Sequence, residues 1–458
     1  MNARILKTFS GILAALVFLF SVPALPTHSQ SQAPQQAPPR TNAAAQFPAA
    51  SPLPIITVDH GPNAAARQDA PYVILVSLDG FRYDYPEKYG APNLVALGKR
   101  GASAPHGMIP AYPSSTFPNH LSIITGLYPE HHGIVANNFY DPARNDRYAY
   151  TDPAKSGDGS WYSGVPLWSL AEQQGMRSAC FFWPASDAEI AGERPSFYLH
   201  YDSHIPNDRR VSQAIAWLHL PEAQRPHFIT LYFSDVDGAG HEFGPDSKET
   251  GDAVHLVDGI VGNLEAELSK LPLRIDLIVV ADHGMEKVEG DWIDLDRYAD
   301  LSDFETSGPL LYPKSEEAAE KAYEKLRGAS DKFTVYRRSN VPPELHYDSN
   351  PRIGDPVVIA NGPYWIRAHA SGSPDTPPSS KGQHGYDPFH MITMRAIFYA
   401  AGPDIRPGVT LEPFENVNIY PLIAKILGLQ TGEIDGNLKV LQGVLRTKPH
   451  AAAAASKN

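Results

Sequence analysis

Tyr72-Val-Ile-Leu-Val-Ser-Leu78 is a continuous apolar run, rich in β-branched residues, with Asp79 standing at its end. Its length and composition fit a strand covered on both faces. Runs of the same kind recur at Arg177–Phe182, His227–Phe233, Ile275–Val280 and Arg395–Ala400. Helical patterns lie between them, among them Val165–Gln174 and Ala253–Leu268. This alternation predicts an α/β fold with a mostly parallel sheet and helices on both faces. Such sheets gather ligands beyond the carboxyl ends of their strands, and three runs finish in Asp79, Ser234-Asp235-Val-Asp237 and Ala281-Asp282-His283.

Outward from this core the chain changes character. Residues 1–29 carry Arg4 and Lys7, then the apolar run 12–20, then small residues, the pattern of a secretory signal. The apolar stretch is short of the roughly 20 residues a span needs, so no stable membrane span is expected after its removal. Residues 30–70, rich in Ala, Gln and Pro, read as a flexible linker. The catalytic domain is expected over 71–445, with an inserted lobe at about 295–365, although periodicity alone equally allows a continuation of the sheet there. Residues 446–458 read as a disordered tail. An exported protein, periplasmic or extracellular, follows from the signal. The single cysteine, Cys180, sits in an apolar run and excludes an internal disulfide. A net charge of −13 over 458 residues argues against a nucleic-acid duplex as partner, because no broad basic face displaces counterions from phosphates. The expectation is a monomer acting on a small anionic molecule.

Four stretches carry chemistry. In Ser115-Thr116-Phe117-Pro118 a hydroxyl stands just before what reads as a helix start, where the N–H groups of the first turn face an incoming anion. Asp237-Gly-Ala-Gly-His241 places a carboxylate and an imidazole four apart in what reads as a tight glycine loop. Asp282-His283 follows a buried strand, and His384 stands between glycines in Gly382-Gln-His-Gly385. Each alone also fits an ordinary cap, turn or solvated loop. Together, three Asp and three His on predicted loops beside Thr116 suit two zinc-type cations bound through N and O. Two such ions serve in-line phosphoryl displacement, which Thr116 needs, since a free threonine hydroxyl is not ionised at neutral pH. No Walker loop or Gly-x-Ser-x-Gly elbow is present.

Asp79-Gly-Phe-Arg82, Thr116-Phe-Pro-Asn-His120, Gly133-Ile-Val-Ala-Asn137, Asp237-x3-His241, Asp282-His283-Gly-Met and His384-Gly-Tyr-Asp, in this order, resemble the nucleotide pyrophosphatase/phosphodiesterase family of the alkaline phosphatase superfamily. The resemblance implies an alkaline-phosphatase-like sheet and two Zn2+, one held by Asp79, Thr116, Asp282 and His283, the other by Asp237, His241 and His384. It implies attack by Thr116 on phosphorus, a phosphothreonine intermediate, and a nucleoside monophosphate as product, with Asn137 donating to a non-bridging phosphate oxygen. Phe117 and the stretch from Trp183 to Tyr201 resemble nucleotide-selective members, in which the aromatic after the threonine and this tyrosine sandwich the base; by that resemblance Phe117, Asn137, Trp183 and Tyr201 are the expected substrate-binding residues. Ala185 stands where the family has glycine, and Asn138 where many eukaryotic members have lysine. Rival readings on the same scaffold are a phosphomonoesterase, a phosphonate hydrolase and a choline-type phosphodiesterase; another is a zinc- or lipid-head-group-binding protein without catalysis.

Overall fold

All seven residues of the run 72–78 are buried and form the strand at the heart of the molecule. The computed structural model describes residues 51–288, 290, 292–369 and 379–446. The signal at 1–29, the first part of the linker and all of the tail but its first residue lie outside the described residues. Nine strands make one sheet: β1 (Ile56–Thr57), β2 (Tyr72–Leu78), β3 (Ala102–Ser103), β4 (Ser178–Phe181), β5 (Phe197–Tyr198), β6 (Phe228–Phe233), β7 (Ile275–Val280), β8 (Phe398–Ala401) and β9 (Val409–Thr410). Their order is β1-β5-β4-β6-β2-β7-β8-β3-β9. From β5 to β7 every pairing is parallel.

The last predicted strand differs from the others. β8 pairs antiparallel with both β7 and β3, and β1 is antiparallel at the opposite edge. The run 395–400 has the same apolar composition as the rest, and composition carries no strand direction.

The principal helices are α1 (Pro92–Arg100), α2 (Thr116–Thr125), α3 (Leu167–Gln173), α4 (Asn207–Leu218), α5 (Asp235–Phe243), α6 (Lys248–Leu268), α7 (Glu316–Leu326) and α8 (Ile419–Leu427). α1, α4 and α6 pack as one group against β8 and β6, while α3 and α8 lie on β4 and β2 with α2 against α8. No described helix is long and apolar enough to cross a membrane. Cys180 is buried in β4, as its apolar neighbours predict.

Residues 51–70 correct the linker expectation. β1 pairs with β5, Leu53, Ile55, Ile56 and Val58 pack on the core, and the buried Asn63 side chain donates to the carbonyls of Glu222 and Arg225. The Pro- and Ala-rich composition hid alternate apolar residues long enough to dock on an edge.

Between 293 and 368 a separate small apolar cluster forms around Leu295, Phe304, Leu311, Leu326, Phe333 and Val358. α7 packs here against the two short strands Leu310–Pro313 and Phe333–Tyr336, and Phe333–Tyr336 pairs antiparallel with Val357–Ala360.

Candidate active site

β2, β6 and β7 run parallel side by side, so their carboxyl ends open on one place. Asp79 follows β2, α5 starts two residues after β6, and Asp282-His283 follows β7. Asp237 and His241 lie on α5, one helical turn apart, instead of in the loop their glycines suggested. A helix presents positions i and i+4 on one face, which meets the same need by a firmer route. Gly80, at φ +67°, lets this helix come close: a Cβ there would stand 2.8 Å from Asp237 Cα. Asp237 N–H donates to Asp79 O at 3.0 Å, joining the two strand ends. Gly382 does the same for His384, since a Cβ there would meet Gly240 O at 2.4 Å.

Thr116 is the first residue of α2, with Ser115 at the cap and Pro118 at the third helical position, two places later than predicted. The N–H groups of this turn are mostly committed. Phe117 N–H donates to Asn137 Oδ1 at 2.9 Å, proline has none, and Asn119 N–H bonds to Ser115 O. With Oδ1 accepting from Phe117, the Asn137 amide nitrogen is turned away from that bond. Ser114 locks the next segment, its Oγ donating to Tyr386 O and accepting from Gly385 N–H.

The ligand-type atoms converge. Thr116 Oγ1 is 3.3 Å from His283 Nε2, which lies 3.5 Å from Asp79 Oδ1 and 3.1 Å from Asp282 Oδ2. Asp237 Oδ1 is 3.4 Å from His241 Nε2 and 3.7 Å from His384 Nε2, and those two nitrogens are 3.2 Å apart. Asp79, Asp282 and His283 offer donor atoms within 4.8 Å of one another, as do Asp237, His283 and His384. His283 thus stands between the two groups.

Two observations test whether these residues suit cations. First, Asp79 Oδ1, Asp237 Oδ1 and Asp282 Oδ2 are sealed from solvent with no hydrogen-bond partner among the described residues. Unpaired buried carboxylate oxygens cost several kcal/mol each unless a positive charge meets them. Second, each imidazole donates its Nδ1–H to a backbone carbonyl: His241 to Gly382 at 2.9 Å, His283 to Gly284 at 2.9 Å and His384 to Ser114 at 3.0 Å. That fixes all three Nε2 lone pairs toward the centre, the arrangement a metal-binding histidine needs. The residues fit two N/O-ligated divalent ions of the zinc type.

Electrostatics agrees. Burial, then the charges of Asp282 and Asp237, pushes the Asp79 carboxyl well above the carboxylate range. Burial also opposes ionisation of Asp237, but His241, His384 and His283 outweigh it and bring its pKa to about 2. Burial and the charge of His283 lower His384 to about 3. His283 and His241 are raised, burial being overcome by Asp282 and by Asp237 respectively. Carboxylates that hold a proton on an imidazole hold a cation in its place.

The aromatic residues divide. Phe117 and Tyr201 border the site: Phe117 follows the threonine, and the half-exposed Tyr201 bonds through its hydroxyl to Ser234 Oγ at 3.2 Å. Trp183 does not. It is 1% exposed, its indole N–H donates to His120 O and its ring abuts the His120 ring, so it supports the core behind α2 instead of facing a ligand. Residues missed from sequence include Tyr150, whose ring lies 5.4 Å from that of Phe117 and whose phenol is pushed up to about 12 by burial and the charges of Asp237 and Asp79. Tyr232, which donates to Asp79 Oδ2, was also missed. Tyr232 was legible in principle, because alternation along β6 puts every second side chain on one face.

Residues 73–387 match the family described as type I phosphodiesterase / nucleotide pyrophosphatase. The chain is 35% identical over 402 residues to human ectonucleotide pyrophosphatase/phosphodiesterase family member 1, covering 84% of this chain and 43% of that protein. It is 34% identical over 397 residues to an uncharacterized pyrophosphatase/phosphodiesterase of Schizosaccharomyces pombe, covering 82% of this chain and 81% of that one. Among solved structures, murine ectonucleotide pyrophosphatase/phosphodiesterase 5, in an inactive form in complex with AMP, superposes with a TM-score of 0.76 at 31% identity, covering 82% of this chain and all of that one. The chain spans less than half the length of the mammalian relatives of the member 1 and member 3 types that it matches. On the family match and these identities, the chain belongs to the type I phosphodiesterase / nucleotide pyrophosphatase family.

Proposed function

We propose that the chain is an exported, two-zinc phosphodiesterase and pyrophosphatase that converts nucleotide phosphodiesters or pyrophosphates to nucleoside monophosphates through a phosphothreonine on Thr116. The observation that carries this reading is the Thr116 hydroxyl at the start of α2, 3.3 Å from His283 Nε2, beside three carboxylates each with one buried oxygen that has no hydrogen-bond partner among the described residues. Asp79, Thr116, Asp282 and His283 would hold one ion, and Asp237, His241 and His384 the other. Such a pair supplies positive charge that lowers the pKa of the hydroxyl and offsets the charge gained by the leaving oxygen.

The chain's own residues do the rest. Thr116 Oγ bonds to phosphorus and loses its proton to solvent water while the bond to the leaving alcohol or pyrophosphate oxygen breaks and that oxygen takes up a proton from solvent. Asn137, oriented by Phe117 N–H, donates to a non-bridging oxygen through its free amide nitrogen. Water then attacks phosphorus, the P–Oγ bond breaks, and Thr116 recovers a proton. Phe117 and Tyr201 hold the base between their rings, each stacking contact worth about 1–3 kcal/mol and tolerant of base identity. The AMP held by the murine relative is a product of the class this reaction yields.

Thr116→Ala tests the reading. Turnover of bis-p-nitrophenyl phosphate is expected to fall on the order of 10³-fold while zinc content, measured by elemental analysis, stays near wild type. Activity retained in this variant would remove the nucleophile. A panel of nucleoside triphosphates, dinucleotides, choline phosphodiesters, phosphonoacetate and p-nitrophenyl phosphate fixes the bond cut. Preference for the monoester, the phosphonate or the choline ester would replace the assignment with that activity. Amino-terminal sequencing of the secreted protein tests export.

A further inference from the structure

His120 lies one helical turn beyond Thr116 on α2 and is fully buried, its ring set edge-on between Trp183 and Tyr232 at centroid distances of 5.0 and 5.3 Å. On one side its Nε2 is 2.8 Å from Ser77 Oγ, at the end of β2. On the other its Nδ1 is 2.9 Å from the Thr116 carbonyl oxygen and 3.4 Å from Asp282 Oδ2. Two acceptors face Nδ1, whereas the serine hydroxyl can donate to Nε2. The ring therefore carries its proton on Nδ1, pointed between the backbone of the hydroxyl-bearing residue and one oxygen of a ligand-type carboxylate.

The start of α2 needs such a tie. Ser115 at the cap makes no side-chain capping bond, so the first turn lacks the usual anchor against fraying. Three side chains hold it instead: Asn137 accepts from Phe117 N–H, Asn119 donates through its amide nitrogen to the carbonyls of Ser115 and Pro113, and His120 donates to Thr116 O. Of these, only His120 also reaches Asp282, whose other oxygen accepts from Gly80 N–H at 3.2 Å.

We infer that His120 is a positioning residue: its Nδ1–H holds the Thr116 turn by a hydrogen bond and so sets that turn against Asp282 Oδ2, 3.4 Å from the ring and not hydrogen-bonded to it, so that attacking hydroxyl and cation ligand keep one relative placement. The inference rests on the roles proposed above for Thr116 and Asp282. It predicts a specific pattern: loss of this N–H weakens cation binding and slows the chemical step, while base binding through Phe117 and Tyr201 is unaffected.

His120→Asn and His120→Gln separate this from simple packing. Asparagine places an amide N–H where Nδ1 stands; glutamine reaches toward the Nε2 position and Ser77 but leaves Thr116 O without the donor. Zinc affinity is read by chelator competition, kcat and KM with bis-p-nitrophenyl phosphate, and melting temperature on the zinc-free proteins. The glutamine variant is expected to lose about 10–100-fold in zinc affinity and in kcat with KM within about threefold. The asparagine variant is expected to stay within about fivefold of wild type in all three. A purely structural role lowers both zinc-free melting temperatures alike and leaves zinc affinity unchanged; that result overturns the inference, as does an asparagine variant as impaired as glutamine. Should the glutamine variant not fold, the asparagine variant decides alone, a loss of more than about tenfold in its zinc affinity or kcat sinking the idea. Wild-type protein that binds no zinc, or an active Thr116→Ala, removes the proposed function and this coupling together. Zinc binding and a dead Thr116→Ala alongside an unaffected glutamine variant remove the coupling alone.

Discussion

Ala185 holds a methyl group at φ +66°, in the left-handed region where an L side chain costs about 1–2 kcal/mol. It is buried, so glycine there gains the strain but loses about 0.8 kcal/mol of methyl burial and some chain entropy. Ala185→Gly is expected to change stability by less than about 1 kcal/mol, and the branched Ala185→Val to lower it by more than about 2 kcal/mol, both by urea unfolding. Asp276 gives a pH-dependent counterpart. It is buried on β7 with Oδ2 unpartnered, and burial pushes its pKa to about 7, the Asp404 N–H only partly opposing. A carboxyl raised above its unfolded value of about 3.9 stabilises the fold while protonated, fully below pH 4, and the benefit is lost as pH rises through about 7. From pH 5 to pH 8 the stability of Asp276→Asn relative to wild type is expected to improve by about 2–3 kcal/mol. At this scale the motif residues were legible from type and spacing. Trp183 was misplaced because an aromatic beside a loop gives no sign, in sequence, of which way its ring turns, and the positive φ at Ala185 is set by tertiary packing.

The helix α5 shows what glycine conceals. Asp237-Gly-Ala-Gly-His241 has the composition of a loop, since glycine costs about 1 kcal/mol against alanine in a helix, yet tertiary contacts enforce the helix and with it the shared face of Asp237 and His241. Gly240 has a packing reason, a Cβ there meeting Met285 at 2.9 Å. Gly259 in α6 has none, with open space where a Cβ would go. Gly259→Ala is accordingly expected to stabilise by about 0.5–1 kcal/mol, raising the melting temperature by about 1–2 °C in calorimetry and leaving kcat unchanged. Strands were legible as elements because a mainly apolar run of six or seven residues with at most one charge has few alternatives. Their directions were not, and β8 turned out antiparallel.

For the whole molecule the balance of charge around the site matters most. Three carboxylates and three imidazoles share one largely buried space, and two of the imidazoles are raised by the carboxylates beside them, His241 by Asp237 and His283 by Asp282, against the effect of burial. Stripping cations with a chelator is expected to lower the melting temperature by several degrees, and added zinc to restore it, because ligand binding to the folded state alone adds RT ln(1 + [L]/Kd). A melting temperature indifferent to chelator would contradict the cation reading. The α/β architecture was legible because strands and helices alternate along the chain; the docking of residues 51–70 was not, because strands of only two residues, β1 and its partner β5, carry little signal. The joining of β2, β6 and β7 side by side has a temporal consequence. Asp79 and His384 are about 300 residues apart, so a growing polypeptide that has emerged from the ribosome only as far as β7 already has Asp79, Asp237 and His241 but lacks the last imidazole, and its pocket stays incomplete until about a hundred further residues have been made.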